Sequence, residues 1–228
     1  MIVTAVVCPH PPALLRELCG AEDTVPVLRS ACAEAVADAV SSGPDAVLVV
    51  GGAAESREWD ASLPIGVRRF GTTHAPDAVG LPQSLGVARR LLDEAGWTGQ
   101  VRMVGVAWDA GPDAVEAVAR AVADEPGRVL VLVMADGSAR RGEKAPGHLD
   151  ERAVPFDDRI GQALEAGDPQ ALSALDPALA ADLLVQGRAA LAVLGAVVAA
   201  DGGRPKPRVL YRDDPHGVMY TVAVWDLA

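Results

Sequence analysis

The sequence predicts an α/β fold: a mostly parallel central sheet with helices on both faces and an antiparallel C-terminal hairpin. Three observations predict it. Apolar runs of strand length occur at 2–7, 46–50, 101–106 and 129–134. They are continuous rather than alternating, as expected of strands covered on both faces. Between them lie segments whose apolar residues recur at helical spacing. Near the C-terminus, "KPRVLY" (206–211) and "VMYTVAVW" (218–225) flank the turn "RDDPHG", the pattern of an antiparallel hairpin.

The elements follow in order. The run at 2–7 has the length of a buried strand. Val25, Leu28, Cys32, Val36 and Val40 mark the first helix, which "SSGP" (41–44) ends. The run at 46–50 is stopped by Gly51 and Gly52, and a weaker strand candidate covers 65–70. Leu85, Ala88, Leu92 and Ala95 mark the next helix, closed by Gly96. After the strand at 101–106, Val115, Val118 and Val122 form a helical stripe beginning near Pro112, a favoured first-turn residue. "VLVLVM" at 129–134 is the strongest strand signal. A long polar connection, "ADGSARRGEKAPGHLDERAVPFD" (135–157), follows it, and connections of that length are often functional or mobile. Helices are expected at 155–166 and 177–200. The whole chain, 1–228, reads as one α/β domain.

Composition narrows the function classes. The 228 residues suffice for a sizeable core, and 50% are hydrophobic, which argues against disorder. Aromatics are 4%, so aliphatic packing must carry that core. A formal charge of −11 repels phosphate and argues against nucleic acid. The longest apolar run, 189–200, is too short to span a bilayer. "MIVTAVV" lacks the basic start of a signal peptide. Three cysteines without C-x-x-C argue against a disulfide framework. The expectation is a soluble cytoplasmic protein with reduced thiols and a small-molecule ligand, without nucleic-acid or membrane partners.

In open α/β sheets, ligands collect beyond the carboxyl ends of the strands. Three loops qualify: "CPHPP", "GGAAESREWD" and "ADGSARRGEKAPGHLD". In the first, Cys8 and His10 each precede a proline and are held toward extended geometry. Such stiffness suits a metal ligand, and it equally describes a rigid turn with a solvated histidine. Cys8 also fits a small buried hydrophobe. The third loop gathers Asp136, Ser138, Arg140, Arg141, Glu143, Lys144, His148, Asp150 and, just beyond, Asp157. Paired arginines hold carboxylates or phosphates, and a histidine near carboxylates can transfer protons. The same residues would also make a charged surface loop whose ion pairs contribute about 0–1 kcal/mol each. His74 and His216 read as loop and turn residues. No Walker-type loop, G-x-G-x-x-G, G-x-S-x-G elbow or H-E-x-x-H is present.

The order of "CPHPPALL", "LVMADGSARR", "PGHLDERAVPFDDRIGQALEAGD", "LLVQGRAALAVLGAVV" and "DDPHGVMYTVAVW" resembles the class III extradiol ring-cleavage dioxygenases. More narrowly, it resembles the superfamily typified by the catalytic chain of those enzymes, which also contains Memo-like proteins, and the small actinobacterial-type members within it. The resemblance runs over nearly the whole length. It implies a catechol-type or other small aromatic substrate, a homodimer, and Fe(II) held by two histidines and a carboxylate, with Zn or Mn as alternatives. His10 matches the first histidine. The second would stand in "VVGGAAESREW", which has none, and Glu55 is the nearest ligand there. The acid/base histidine would follow Ser138, where this chain has Ala139 and Arg140. His148, from the same loop, is the candidate replacement beside Arg140 and Ser138. Asp182 holds the carboxylate's place by position alone.

These departures are large in effect. Metal affinity comes from several supported ligands, and losing a general acid or base typically costs ~10²–10⁴ in rate. Three functions follow as expectations. One is a metal-dependent dioxygenase-like oxidoreductase with His10 as a metal ligand and His148 or Glu55 completing the site. Another is an inactive or repurposed member that binds an anionic small molecule through Arg140, Arg141 and His148. The last is an accessory subunit.

Overall fold

The computed structural model describes residues 1–66, 80–123 and 125–227. Among them, seven strands form one sheet: β1 (Ile2–Cys8), β2 (Ala46–Ala53), β3 (Arg57–Trp59), β4 (Gln100–Ala107), β5 (Val129–Met134), β6 (Lys206–Asp213) and β7 (Tyr220–Asp226). Their order is β3-β4-β2-β5-β1-β7-β6. The strands β4, β2, β5 and β1 are parallel, and β3, β7 and β6 run antiparallel to their neighbours. This is the expected mostly parallel α/β sheet with a C-terminal antiparallel hairpin.

The strand sequences explain the two layers of helices. In β5, Val129, Val131 and Val133 enter one core, while Leu130, Leu132 and Met134 enter the other. Side chains alternate across a strand, so a run without polar residues needs cover on both sides. On one face lie α1 (Pro26–Ser41) and α2 (Gln83–Glu94). On the other lie α3 (Pro112–Ala123), α4 (Ala153–Ala166), α5 (Pro169–Ser173), α6 (Pro177–Asp182) and α7 (Arg188–Asp201). Helix α1 starts with Pro26 in its first turn and buries Leu28, Ala31, Cys32, Ala35, Val36 and Ala39, the stripe expected of a surface helix. Helix α7 is apolar nearly all round, and it is packed between sheet and helices accordingly.

Three local expectations differ from the structure. The helix expected over 177–200 is two helices, α6 and α7. Between them Leu184 adopts φ 56°, and the Gly187 N–H donates to the Asp136 carbonyl at 3.1 Å. The break therefore carries the chain against the exit of β5. Strand β3 forms within the loop "GGAAESREWD", and α5 lies where no helix was expected. Of the weaker strand candidate, Ile65 makes an isolated parallel bridge to Leu81. Residues 67–70, and His74 after them, lie outside the described residues. Among the described residues, no helix is long and apolar enough to cross a membrane.

Helix α2 meets β2 at Gly51, where an added Cβ would lie 2.6 Å from the Ser84 hydroxyl oxygen and 2.7 Å from its Cβ. Ser84 in turn donates to the Gly52 carbonyl at 2.7 Å. Gly51→Ala is expected to destabilise the fold by about 1–3 kcal/mol through overpacking. Urea denaturation should show a lower midpoint at unchanged slope. An unchanged midpoint would mean that α2 is not seated this closely.

Candidate functional site

Strands β1 and β5 run parallel, with Cys8 opposite Met134 as their last pair. The Ala135 N–H then donates to the Cys8 carbonyl at 2.8 Å and prolongs the ladder. His10 and Asp136, each two residues past that last pair, are thereby brought together. The His10 N–H donates to Asp136 Oδ1 at 2.7 Å, and the His10 Nδ1 lies 3.5 Å from the same oxygen. The imidazole is 2% exposed, and Nδ1 is buried without a hydrogen-bond partner. Pro9 and Pro11 stiffen this exit, and the Gln83 side-chain amide donates to the His10 carbonyl at 2.7 Å. The Asp136 carboxyl is raised above the usual range by burial, against the opposing pull of His10. Tyr220, bridged to Asp136 through the backbone, is raised by burial and by that carboxylate.

His10 opens into a crevice of about 330 Å³ at the carboxyl ends of the parallel strands. Its wall includes Glu55, Trp59, Gln83, Trp108 and Gln186. That size lies at the lower end of small-molecule sites, ~300–1,000 Å³. Trp108 is fixed from behind: its N–H donates to the Ala53 carbonyl at 3.2 Å, and buried Arg188 donates to the carbonyls of Trp108 and Ala110 at 3.1 and 2.7 Å. Gly52 lets this wall close, because a Cβ there would lie 2.6 Å from the Gln186 carbonyl and 2.9 Å from Trp108 Cδ1. Position 52 falls in the stretch where the resemblance implies a second histidine, and no side chain fits there. Glu55 is exposed and paired with Arg57 at 2.7 Å, and the Arg57 guanidinium lies 3.4 Å over the Trp59 ring.

Of the residues singled out from sequence, His10 and Glu55 therefore line one cavity, while Ser138, Arg140 and His148 do not line it. Ser138 is buried, donates its hydroxyl to the Leu183 carbonyl at 2.9 Å and accepts the Arg140 N–H at 3.1 Å, so it braces the loop. The Arg140 Nε is buried without a hydrogen-bond partner. Arg141 pairs with Asp157 at 3.2 Å and with Asp214, which occupies the guanidinium expected to meet an anion. His148 is exposed at φ 58°, a turn conformation in which histidine is enriched, with Nδ1 2.9 Å from the Glu143 carbonyl. Asp182 is exposed and pairs with Arg152 at 3.1 Å.

An Fe(II) facial triad needs three donors converging on one point. Among the described residues, no group of three His, Cys, Asp or Glu could hold a metal ion. The His10 Nδ1 is turned to Asp136, and Glu55 is engaged with Arg57. The described residues do not fit the iron site that the resemblance implies. A larger cavity, about 430 Å³, lies beside α4 and α5. Two carboxylates in its wall, Asp168 and Asp176, accept helix N–H groups as caps and are committed there.

No family model matches the chain, and no curated protein matches it. Among solved structures it is similar to the crystal structure of uncharacterized protein JW3007 from Escherichia coli K12. The TM-score is 0.48 at 16% identity, over 98% of this chain and 99% of that one. At that level the likeness says nothing of function.

The sequence pointed to His10, but not to Asp136 as its partner or to Trp59, Trp108, Gln83 and Gln186 as walls. One signal was available. In a chain with 4% aromatics, Trp108 stands just beyond the apolar run at 101–106.

Behind the loop, Asp157 Oδ1 accepts the Ser138 N–H at 2.8 Å, and its side chain is 0% exposed. Burial pushes its carboxyl up to about 6, against the pull of Arg141. A carboxyl raised in the folded state gives stability that is full below its unfolded value, about 4. That stability is lost as pH rises through 6. Relative to Asp157→Asn, the native chain should lose up to ~3 kcal/mol between pH 4 and 7. Parallel urea midpoints for the two proteins over that range check this, and a difference independent of pH would contradict it.

Proposed function

We propose that this chain is a class III extradiol dioxygenase-like protein, repurposed or altered at its metal centre. It binds a small hydroxylated aromatic molecule in the crevice at the carboxyl ends of β1, β2 and β4. One observation carries the reading. A buried histidine, backed by a carboxylate, sits in a crevice walled by two tryptophans. Indole faces suit an aromatic ring, through offset or edge-to-face contacts worth about 0.5–1.5 kcal/mol beyond area burial.

The chemistry of the wall supports a hydroxyl as the polar group. Nδ1 faces Asp136 at 3.5 Å without a hydrogen bond, and Nε2 is the ring nitrogen that can serve the ligand as an acceptor in the neutral imidazole. A phenolic O–H is a donor of matching kind. Gln83 and Gln186 add neutral amide donors and acceptors to the wall. Among the described residues the wall contains no lysine or arginine, which supports a neutral ring over an anion. The proton-transfer role expected of His148 falls to His10, which is the histidine in the wall.

Catechol is the probe. Isothermal titration with catechol, without added metal, is expected to give saturable binding. His10→Ala should weaken it at least tenfold, and Trp108→Ala by about as much, since base and ring lose separate contacts. His10→Gln should recover part of the loss, because its amide can still accept. Absence of catechol binding to the native chain, or equal affinity in His10→Ala, rules the reading out.

A further inference from the structure

A second cavity, about 230 Å³, adjoins the first. Trp108 and Gln186 line both. The rest of the second wall comes from α6 and the break after it, Ala180, Ala181, Leu184 and Val185, with Asp109 as its one charged residue among the described residues. The first cavity is polar around His10, and the second is apolar. Two of the large exposed hydrophobic side chains stand at this groove, Trp108 at 47% and Leu184 at 42% exposure. Leu184 is held there at φ 56°, a conformation that disfavours a residue with a bulky side chain. Gly147 lets it lie close, since a Cβ at 147 would be 2.6 Å from Leu184 Cδ1.

We infer that the His10 crevice and this groove form one continuous ligand site, and that the ligand is a hydroxylated aromatic ring carrying an apolar substituent. The inference rests on the ring-binding function proposed above. The ring takes the His10 end, and the substituent runs past Trp108 along Leu184 and Ala181. Continuity through Trp108 and Gln186 favours a substituent of the same ligand over a separate occupant. Charge decides its chemistry. Among the described residues the groove wall holds Asp109 and no cation, so a carboxylate tail would be repelled and left unpaired where an alkyl or aryl tail buries apolar surface.

The test measures affinity by isothermal titration for catechol, 4-methylcatechol, 4-propylcatechol, 4-pentylcatechol and 3-(3,4-dihydroxyphenyl)propionate. Affinity should rise about two- to fourfold per methylene, the upper figure being full burial of each group. The propionate should bind at least tenfold more weakly than 4-propylcatechol. Leu184→Asn should flatten the rise with chain length; asparagine tolerates positive φ, so the turn is kept. Ala181→Glu, at an exposed helical position, is the second variant and should also flatten it. Catechol binding with no gain from the alkyl chain overturns this inference and leaves the ring site standing. A gain that survives both variants also overturns it. A dimer at assay concentration that Leu184→Asn disperses, with no chain-length gain, assigns the groove to a second copy instead. Failure of every catechol to bind removes the ring site and this extension together.

Discussion

The parallel register of β1 against β5 is the constraint on which the carboxyl end of the sheet depends. Cys8 and Met134 end their strands side by side, and the next ladder bond joins Ala135 to Cys8. Two chains leaving a sheet in step bring equivalent positions together. Here those positions hold a histidine and an aspartate. The backbone N–H of His10 then fixes the carboxylate, and the carbonyl of Asp136 fixes the start of α7 through Gly187. Histidine, carboxylate and the Gln186 wall are thus located by one pair of strands. A shift of one residue in that register would exchange the two faces of the strand.

The crevice owes its shape to small residues as much as to large ones. Gly51 and Gly52, near the carboxyl end of β2, lie where Ser84, Trp108 and the Gln186 carbonyl approach too closely for any side chain. The same close approach explains why a histidine does not stand there, whatever the ancestry of the fold. The Arg188 guanidinium, buried below Trp108, is lowered by desolvation and held by carbonyls rather than a carboxylate. Hydrogen bonds to a charged donor contribute about 1.5–3 kcal/mol, and here they hold the backbone from which the Trp108 indole projects.

Most of the sheet was legible in the sequence, for a reason visible in β5. A strand covered on both faces must be apolar throughout, and six such residues in a row leave little ambiguity. Strand β3 was not legible because three residues at an exposed edge need no pattern. The break between α6 and α7 was hidden because the segment is apolar on both sides of it. Its cause is tertiary, the bond from Gly187 to Asp136. The site divides the same way. His10 was legible because prolines around a histidine are a local feature. Its partner and walls were not, because they come from four separate connections that only the strand order brings together. His148 illustrates the converse: its position in a long polar loop suggested chemistry, while its actual bond is to a carbonyl five residues away.

The place of β1 in the sheet bears on how the chain acquires its fold. The first strand made during synthesis lies between β5 and β7, so Thr4 pairs across with Asp226. Until residues 129–134 have emerged, β1 has no parallel partner, and until the last strand arrives one of its edges stays open. Contacts of such sequence separation slow folding and leave apolar strands exposed for longer. For a run as apolar as IVTAVVC, that interval is the period of greatest exposure to aggregation. The strand that carries His10 into place is therefore among the last to be secured.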